Sequence, residues 1–282
     1  MFGDYGTRKS LGADLHTRRF DSPKVEKVDN NKAVKILGLR IDIVSLKSLL
    51  AFISRTIQEE GKARIVYVNI HAFNLAQDFV WFRNFINASE IVYCDGFGVK
   101  WGARFLGIHL PERLSPPDWI NLLATECVRQ SFSIYLVGAA LGVADKFADI
   151  LKQQFTGLRI VGIQHGYFDK SPGCAENETV LQNIKTVKPD ILIVGLGMPR
   201  QERWLMENWD RLYVKIALPV GALFDYMACE LPRSPRWMTD HGLEWLGRLM
   251  KEPRRLWRRY LLGIPRFGWL LLRQRLGLVK SG

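Results

Sequence analysis

From Arg64 onward the chain alternates short, mainly apolar runs with longer two-faced ones. The short runs are Ile65–Asn69, Ile91–Cys94, Ser133–Val137, Arg159–Ile163, Ile191–Val194 and Val214–Leu218. They are rich in Val and Ile and apolar on both faces, as parallel strands covered on both sides should be. Between most of them the apolar positions recur at helical spacing. The clearest case runs from Gly142 to Phe155, with Val143, Phe147, Ile150 and Leu151 on one face. Such alternation predicts an α/β fold, a parallel sheet with helices on both faces. Ligands of these sheets bind outside the carboxyl ends of the strands.

The pattern also divides the chain. Residues 1–32 are polar, mixed in charge and aperiodic, and are expected to be a disordered leader. The α/β domain is expected over 33–231. It opens on a hairpin-like stretch (VKILGLRIDIV) and a helix from roughly Ser45 to Glu60. Residues 232–282 read as a helical appendage broken at Pro253 and Pro265. No internal repeat is visible.

Composition excludes several classes. With 48% apolar and 24% charged residues in 282, the chain has a globular balance rather than a disordered one. No run approaches the roughly 20 apolar residues of a spanning helix; the longest candidate is the stretch Ile216 to Phe224. The first twenty residues have no apolar core, so no secretory signal is expected. Cys94, Cys127, Cys174 and Cys229 form no CxxC pair, which argues for a reducing compartment and against a disulfide framework.

The location of the net charge matters more than its size. Of the +12 total, residues 232–282 carry +9, together with Trp237, Trp245, Trp257 and Trp269. Basic residues interleaved with Trp and Leu suit a surface both anionic and greasy, such as a lipid headgroup layer. Nucleic acid is the other anionic candidate, and a solvated basic helix with core tryptophans is the plain one.

Candidate chemistry gathers at strand ends. Asp95 follows the strand Ile91–Cys94 and precedes Gly96, a position suited to a general base or to a turn or capping aspartate. In LPERLSPPDW, Arg113 can hold a phosphate, and Asp118 can orient a sugar hydroxyl or cap the next helix. The small-residue turn at Gly138 can present N–H groups to a phosphate. Its spacing is not G-x-G-x-x-G, so a nicotinamide enzyme gains little support. The most informative stretch is GLGMPRQER. A buried strand enters a turn through Gly197, and Arg200, Gln201, Glu202 and Arg203 open a helix. Gln201 and Glu202 can read hydroxyl or amide groups, and Arg200 and Arg203 can meet a diphosphate. A capped surface helix is the alternative. The five histidines lack ligand spacing and no Asp-x-Asp occurs, so no metal site is expected. A leaving diphosphate would then be neutralised by arginines and helix N-termini.

Taken in order, these pieces resemble one family. Asn69 in VYVNIH, Asp95-Gly96 in YCDGFGVKW, Arg113 in PERLSPPD, Gly166-Tyr167-Phe168, GLGMPRQER, Gly221 to Asp225, Arg233 to Trp237 and GLEWLGRLMKEPRRLWRRY are similar to the motifs of WecG/TagA/CpsF glycosyltransferases, glycosyltransferase family 26. The resemblance runs from about Val34 to Phe267. It implies a Rossmann-like α/β domain with a C-terminal appendage that engages the membrane. The implied reaction is an inverting transfer, with no cofactor and no metal, from a UDP-sugar to a polyprenyl-diphosphate-linked sugar. It would take place at the inner face of the bacterial membrane. Asp95 would be the base. Asn69, Arg113, Asp118, Gly138, Gly197, Arg200, Gln201, Glu202 and Asp225 would bind substrate, with appendage arginines among Arg233, Arg248, Arg254, Arg255 and Arg258. The expected partners are these two substrates and an anionic membrane surface, not nucleic acid; a homo-oligomer is left open. Tyr67 stands where many members have Thr, and Pro116-Pro117 where Gly-Ser is usual. The Val-Asn-x-His form with Asn74 resembles the exopolysaccharide (GumM-like) branch, which transfers glucose, more than the teichoic-acid branch, which transfers N-acetylmannosamine. A different class is also consistent with the basic tail: a non-catalytic module binding membrane or nucleic acid.

Overall fold

The structure, a computed structural model, describes residues 33–231 and 234–278. The expected leader, 1–32, and Arg233 lie outside the described residues. The strands are β1 (Ala33–Ile36), β2 (Leu39–Asp42), β3 (Ala63–Val68), β4 (Ile91–Cys94), β5 (Ser133–Gly138), β6 (Arg159–Gln164), β7 (Ile191–Gly195) and β8 (Ile216–Pro219). The first two pair as an antiparallel hairpin. The other six are the strands read from the apolar runs, and they form one parallel sheet in the order β4-β3-β8-β7-β5-β6.

Alternation along the strands builds two cores. Val66, Val68, Val92, Val137 and Val194 face one side, where α2 (Ile70–Asp78), α3 (Val80–Ala88), α4 (Phe97–Phe105), α7 (Ala175–Val187) and α8 (Arg200–Asn208) supply the cover. Ile65, Tyr67, Tyr93, Ile134, Leu136 and Ile193 face the other side. There α1 (Leu46–Gln58), α5 (Pro116–Gln130), α6 (Val143–Gln154) and α9 (Leu223–Met227) lie. Adjacent β3 and β8 lead into helices on opposite faces, α2 and α9. That divergence opens a crevice at their carboxyl ends.

The appendage comprises α10 (Arg236–Asp240), α11 (Glu244–Lys251), α12 (Pro253–Trp257) and α13 (Gly263–Arg275). Pro253 starts a helix as expected, but Pro265 breaks none: it is the third residue of α13. A proline ring needs room where the carbonyl four residues earlier would stand. A π turn over Arg258–Leu262 widens the helix immediately before it. The appendage is tied to the domain by polar contacts. Arg266 forks onto Asp78 at 2.8 and 2.6 Å, Asn74 Nδ2 donates to the Gly263 carbonyl at 2.9 Å, and Arg275 donates to the Phe105 carbonyl at 2.8 Å. No helix among the described residues is long and apolar enough to cross a membrane.

Candidate active site

The crevice and the appendage together enclose a cavity of about 1170 Å³. Asp95, Asn69, Arg113, Gly197, Arg200, Arg248, Arg255 and Arg258 line it, all singled out in the sequence. Among the described residues, seven arginines face it against three carboxylates, Asp78, Asp95 and Glu244.

Asp95 sits where β4 ends. Its N–H donates to the Val68 carbonyl of β3 at 2.9 Å, which fixes the residue to the neighbouring strand. Gly96 follows with φ +99°, a conformation that favours glycine, and takes the capping position of α4. The Asp95 carboxylate is therefore not the cap. Burial raises its pKa to about 7, and the nearby Glu244 charge pushes the same way, against Arg113 and Ser115. A carboxyl poised there can accept a proton from a hydroxyl near neutral pH.

Arg113 is held from three sides. It pairs with Asp118 at 2.7 Å and with Glu244 of the appendage at 3.5 Å, and its guanidinium lies 5.1 Å from the Phe97 ring centre. Asp118 itself is exposed and does not line the cavity. Ser115 takes the capping position of α5, so Asp118 acts on Arg113 rather than as the cap. Asn69 caps α2, its Oδ1 accepting from the Ala72 N–H at 3.1 Å, while it also faces the cavity.

Gln201 and Glu202 do not reach the cavity surface; they lie beneath it, fully buried. Gln201 Oε1 accepts from the Gly221 N–H at 3.0 Å. Its Nε2 donates to Glu202 Oε1 at 2.8 Å and points at the Tyr67 hydroxyl at 3.5 Å. Glu202 Oε2 has no hydrogen-bond partner among the described residues. Burial raises the Glu202 pKa to about 7 and lifts that of the Tyr67 phenol far above its usual range. Arg200 reaches the cavity, but Arg203 turns away, paired with Glu207 at 3.0 Å and stacked over Trp81. Successive helical residues point about 100° apart, so four in a row cannot converge.

Gly138 ends β5 outside the cavity lining. Its φ is +149°, and a Cβ there would stand 2.5 Å from the Gly195 carbonyl carbon and oxygen, so glycine is required for strand-end packing. Asp225 lies outside the lining too, half-buried on α9 and within electrostatic reach of Arg255 and Arg248. Arg254 is exposed and outside the lining. Arg248 is stacked 5.4 Å from the Tyr226 ring centre, with Nε buried and unpartnered among the described residues.

Arg259 and His71 belong to the site but were not singled out as ligand contacts. Arg259 faces Tyr67, Glu202 and His71 electrostatically, and its buried Nε lacks a partner among the described residues. Nothing in RRLWRRY distinguishes it from Arg254, Arg255 or Arg258 by type; the π turn sets its direction. His71 lines the cavity, and burial, helped by Arg259, lowers its pKa to about 3, so it is neutral near pH 7.

Residues 34–281 match the model of the glycosyl transferase WecG/TagA/CpsF family. Among curated proteins, N-acetylglucosaminyldiphosphoundecaprenol N-acetyl-beta-D-mannosaminyltransferases of Staphylococcus aureus strains MRSA252 and NCTC 8325 are each 26% identical over 263 residues. These alignments cover 91% of this chain and 99% of the relative.

Proposed function

Because the chain belongs to the WecG/TagA/CpsF family and is a glycosyltransferase, we propose that it moves a hexose from a UDP-sugar onto a polyprenyl-diphosphate-linked sugar, with inversion and with Asp95 as the base. The observation that carries this reading is the placement of Asp95. It is a carboxyl with a pKa raised to about 7, at a strand end, inside a cavity whose cationic lining is guanidinium. The acceptor hydroxyl loses its proton to Asp95 as its oxygen attacks the anomeric carbon. The bond from that carbon to the UDP oxygen breaks, and UDP leaves with the electron pair. Negative charge grows on the diphosphate, where preorganised arginines stabilise it most. Arg113, Arg200, Arg248 and Arg259 are the groups for that task, and Asn69 orients a sugar hydroxyl. Gln201 and Glu202 act from beneath, by holding the Gly221 turn and Tyr67.

The relatives named above transfer N-acetylmannosamine to N-acetylglucosaminyldiphosphoundecaprenol. That supports N-acetylmannosamine as the hexose, while the Asn69–Asn74 segment supports glucose and an exopolysaccharide product. The work would take place at the cytoplasmic face of a bacterial inner membrane, with residues 232–282 attaching the protein peripherally. The test is a donor screen with the purified full chain. UDP-N-acetylmannosamine and UDP-glucose are each offered with a short-chain N-acetylglucosaminyl diphosphate lipid, and the product is weighed by mass spectrometry. Transfer from one of them is expected; transfer from neither overturns the proposal.

A further inference from the structure

The cavity lining combines two chemically different sets of residues. One is polar: Asp95, Arg113 and Arg259. The other is apolar and comes from α4 and α13: Phe97, Trp101, Phe105, Phe267 and Leu271. Helix α4 begins just after Asp95. Phe97, Trp101 and Phe105 recur every four residues on it, so they form one stripe leading away from the acid. Trp101 is 54% exposed and Phe105 40%, yet both line the cavity. An exposed Leu262 lines it from the appendage side.

Glycines set the width of this groove. A Cβ at Gly102 would lie 2.8 Å from Leu271 Cδ1, so α4 and α13 touch there. Gly268 also lines the cavity, but a Cβ there would meet nothing within 4 Å, so the groove stands open at that point. At the end of the stripe far from Asp95, Arg275 lies 4.6 Å from the Phe105 ring centre. Nine helical residues span about 13 Å, and a hexose or a nucleotide offers no aliphatic surface of that length.

We propose that the groove between α4 and α13 binds the first isoprene units of the acceptor's polyprenyl chain. The chain's diphosphate would lie at the arginines and its sugar hydroxyl at Asp95. This rests on the transfer reaction proposed above and adds a subsite to it. Arg275, beside Phe105, is placed for the headgroup layer from which such a chain would enter.

Two measurements test the groove. The first uses two acceptors with the same sugar diphosphate, one methyl ester and one farnesyl ester. The wild-type chain should favour the farnesyl acceptor in kcat/KM by about tenfold or more. Gly268→Phe, which fills open space, and Trp101→Ser should each bring that ratio toward one. A wild-type ratio near one, or a ratio unchanged in both variants, overturns the subsite. The second is calorimetric titration of the wild-type full chain with farnesyl diphosphate and with inorganic diphosphate, which needs neither a variant nor turnover. Farnesyl diphosphate should bind tighter by about tenfold or more; equal affinity overturns the subsite. Tighter farnesyl binding in a protein that transfers no sugar to either acceptor would remove the reaction and leave the groove standing.

Discussion

Asp95 and Glu202 both keep a proton up to about pH 7, and the cause in each case is first of all burial. In the unfolded chain these groups titrate near 3.8 and 4.5. Between those values and about 7 the folded chain holds protons the unfolded chain has lost, so stability falls as pH rises through this window and levels above it. Glu202→Gln keeps an acceptor for Gln201 and cannot ionise. The melting temperature of that variant should exceed wild type at pH 8 and match it at pH 5, and thermal unfolding at the two pH values checks this. For Asp95 the same shift governs rate. The base must be ionised, so kcat/KM should climb with pH through an apparent pKa near 7; a profile flat from pH 5 to 9 would contradict it. At this scale the sequence was informative where chain geometry alone decides position. Asp95, Asn69 and Arg113 each follow a strand or a turn that the apolar pattern marks. It was uninformative where a side chain's direction depends on helix phase. Arg203 turns out, Gln201 and Glu202 turn under, and Arg259 turns in, and none of this is visible from residue type.

At the level of elements, the parallel strands were legible because burial on both faces demands runs rich in Val and Ile, although β6, at the sheet edge, is only partly buried. The strand order was not, since β8 inserts between β3 and β7 through contacts far apart in sequence. Pro265 misled for a local reason: a π turn makes room for a ring that an unwidened helix would exclude. Gly138 shows how tightly the strand ends pack. Gly138→Ala would place a methyl group against the Gly195 backbone at an unfavourable φ, with no flexible side chain to move aside. It should destabilise the protein by more than about 3 kcal/mol, read as a lowered urea midpoint. A shift within error would mean the strand ends have slack.

For the whole molecule, charge and hydrophobicity are separated along the chain and rejoined in space. The appendage that carries most of the net charge also closes the cavity, through Glu244 on Arg113 and α13 on α2 and α4. Its exposed Trp257, Leu261, Trp269 and Leu272 sit among arginines. Each basic residue near an anionic surface contributes about 1 kcal/mol, and salt screens it. The full chain should sediment with anionic vesicles and be released by high salt, while equal binding to neutral vesicles would assign attachment to apolar insertion. A chain ending near Leu231 should lose activity on a lipid acceptor, because the cavity would lack one wall. The central claim is that this cavity transfers a sugar with Asp95 as the base, and one comparison tests it most directly. Acceptor-dependent UDP release is measured for wild type and Asp95→Asn with the same donor and lipid-linked acceptor, while UDP-induced thermal stabilisation reports that the variant still folds and binds. We expect equal stabilisation and a loss of turnover of about 10²–10⁴-fold; turnover of the variant near that of wild type would contradict the account.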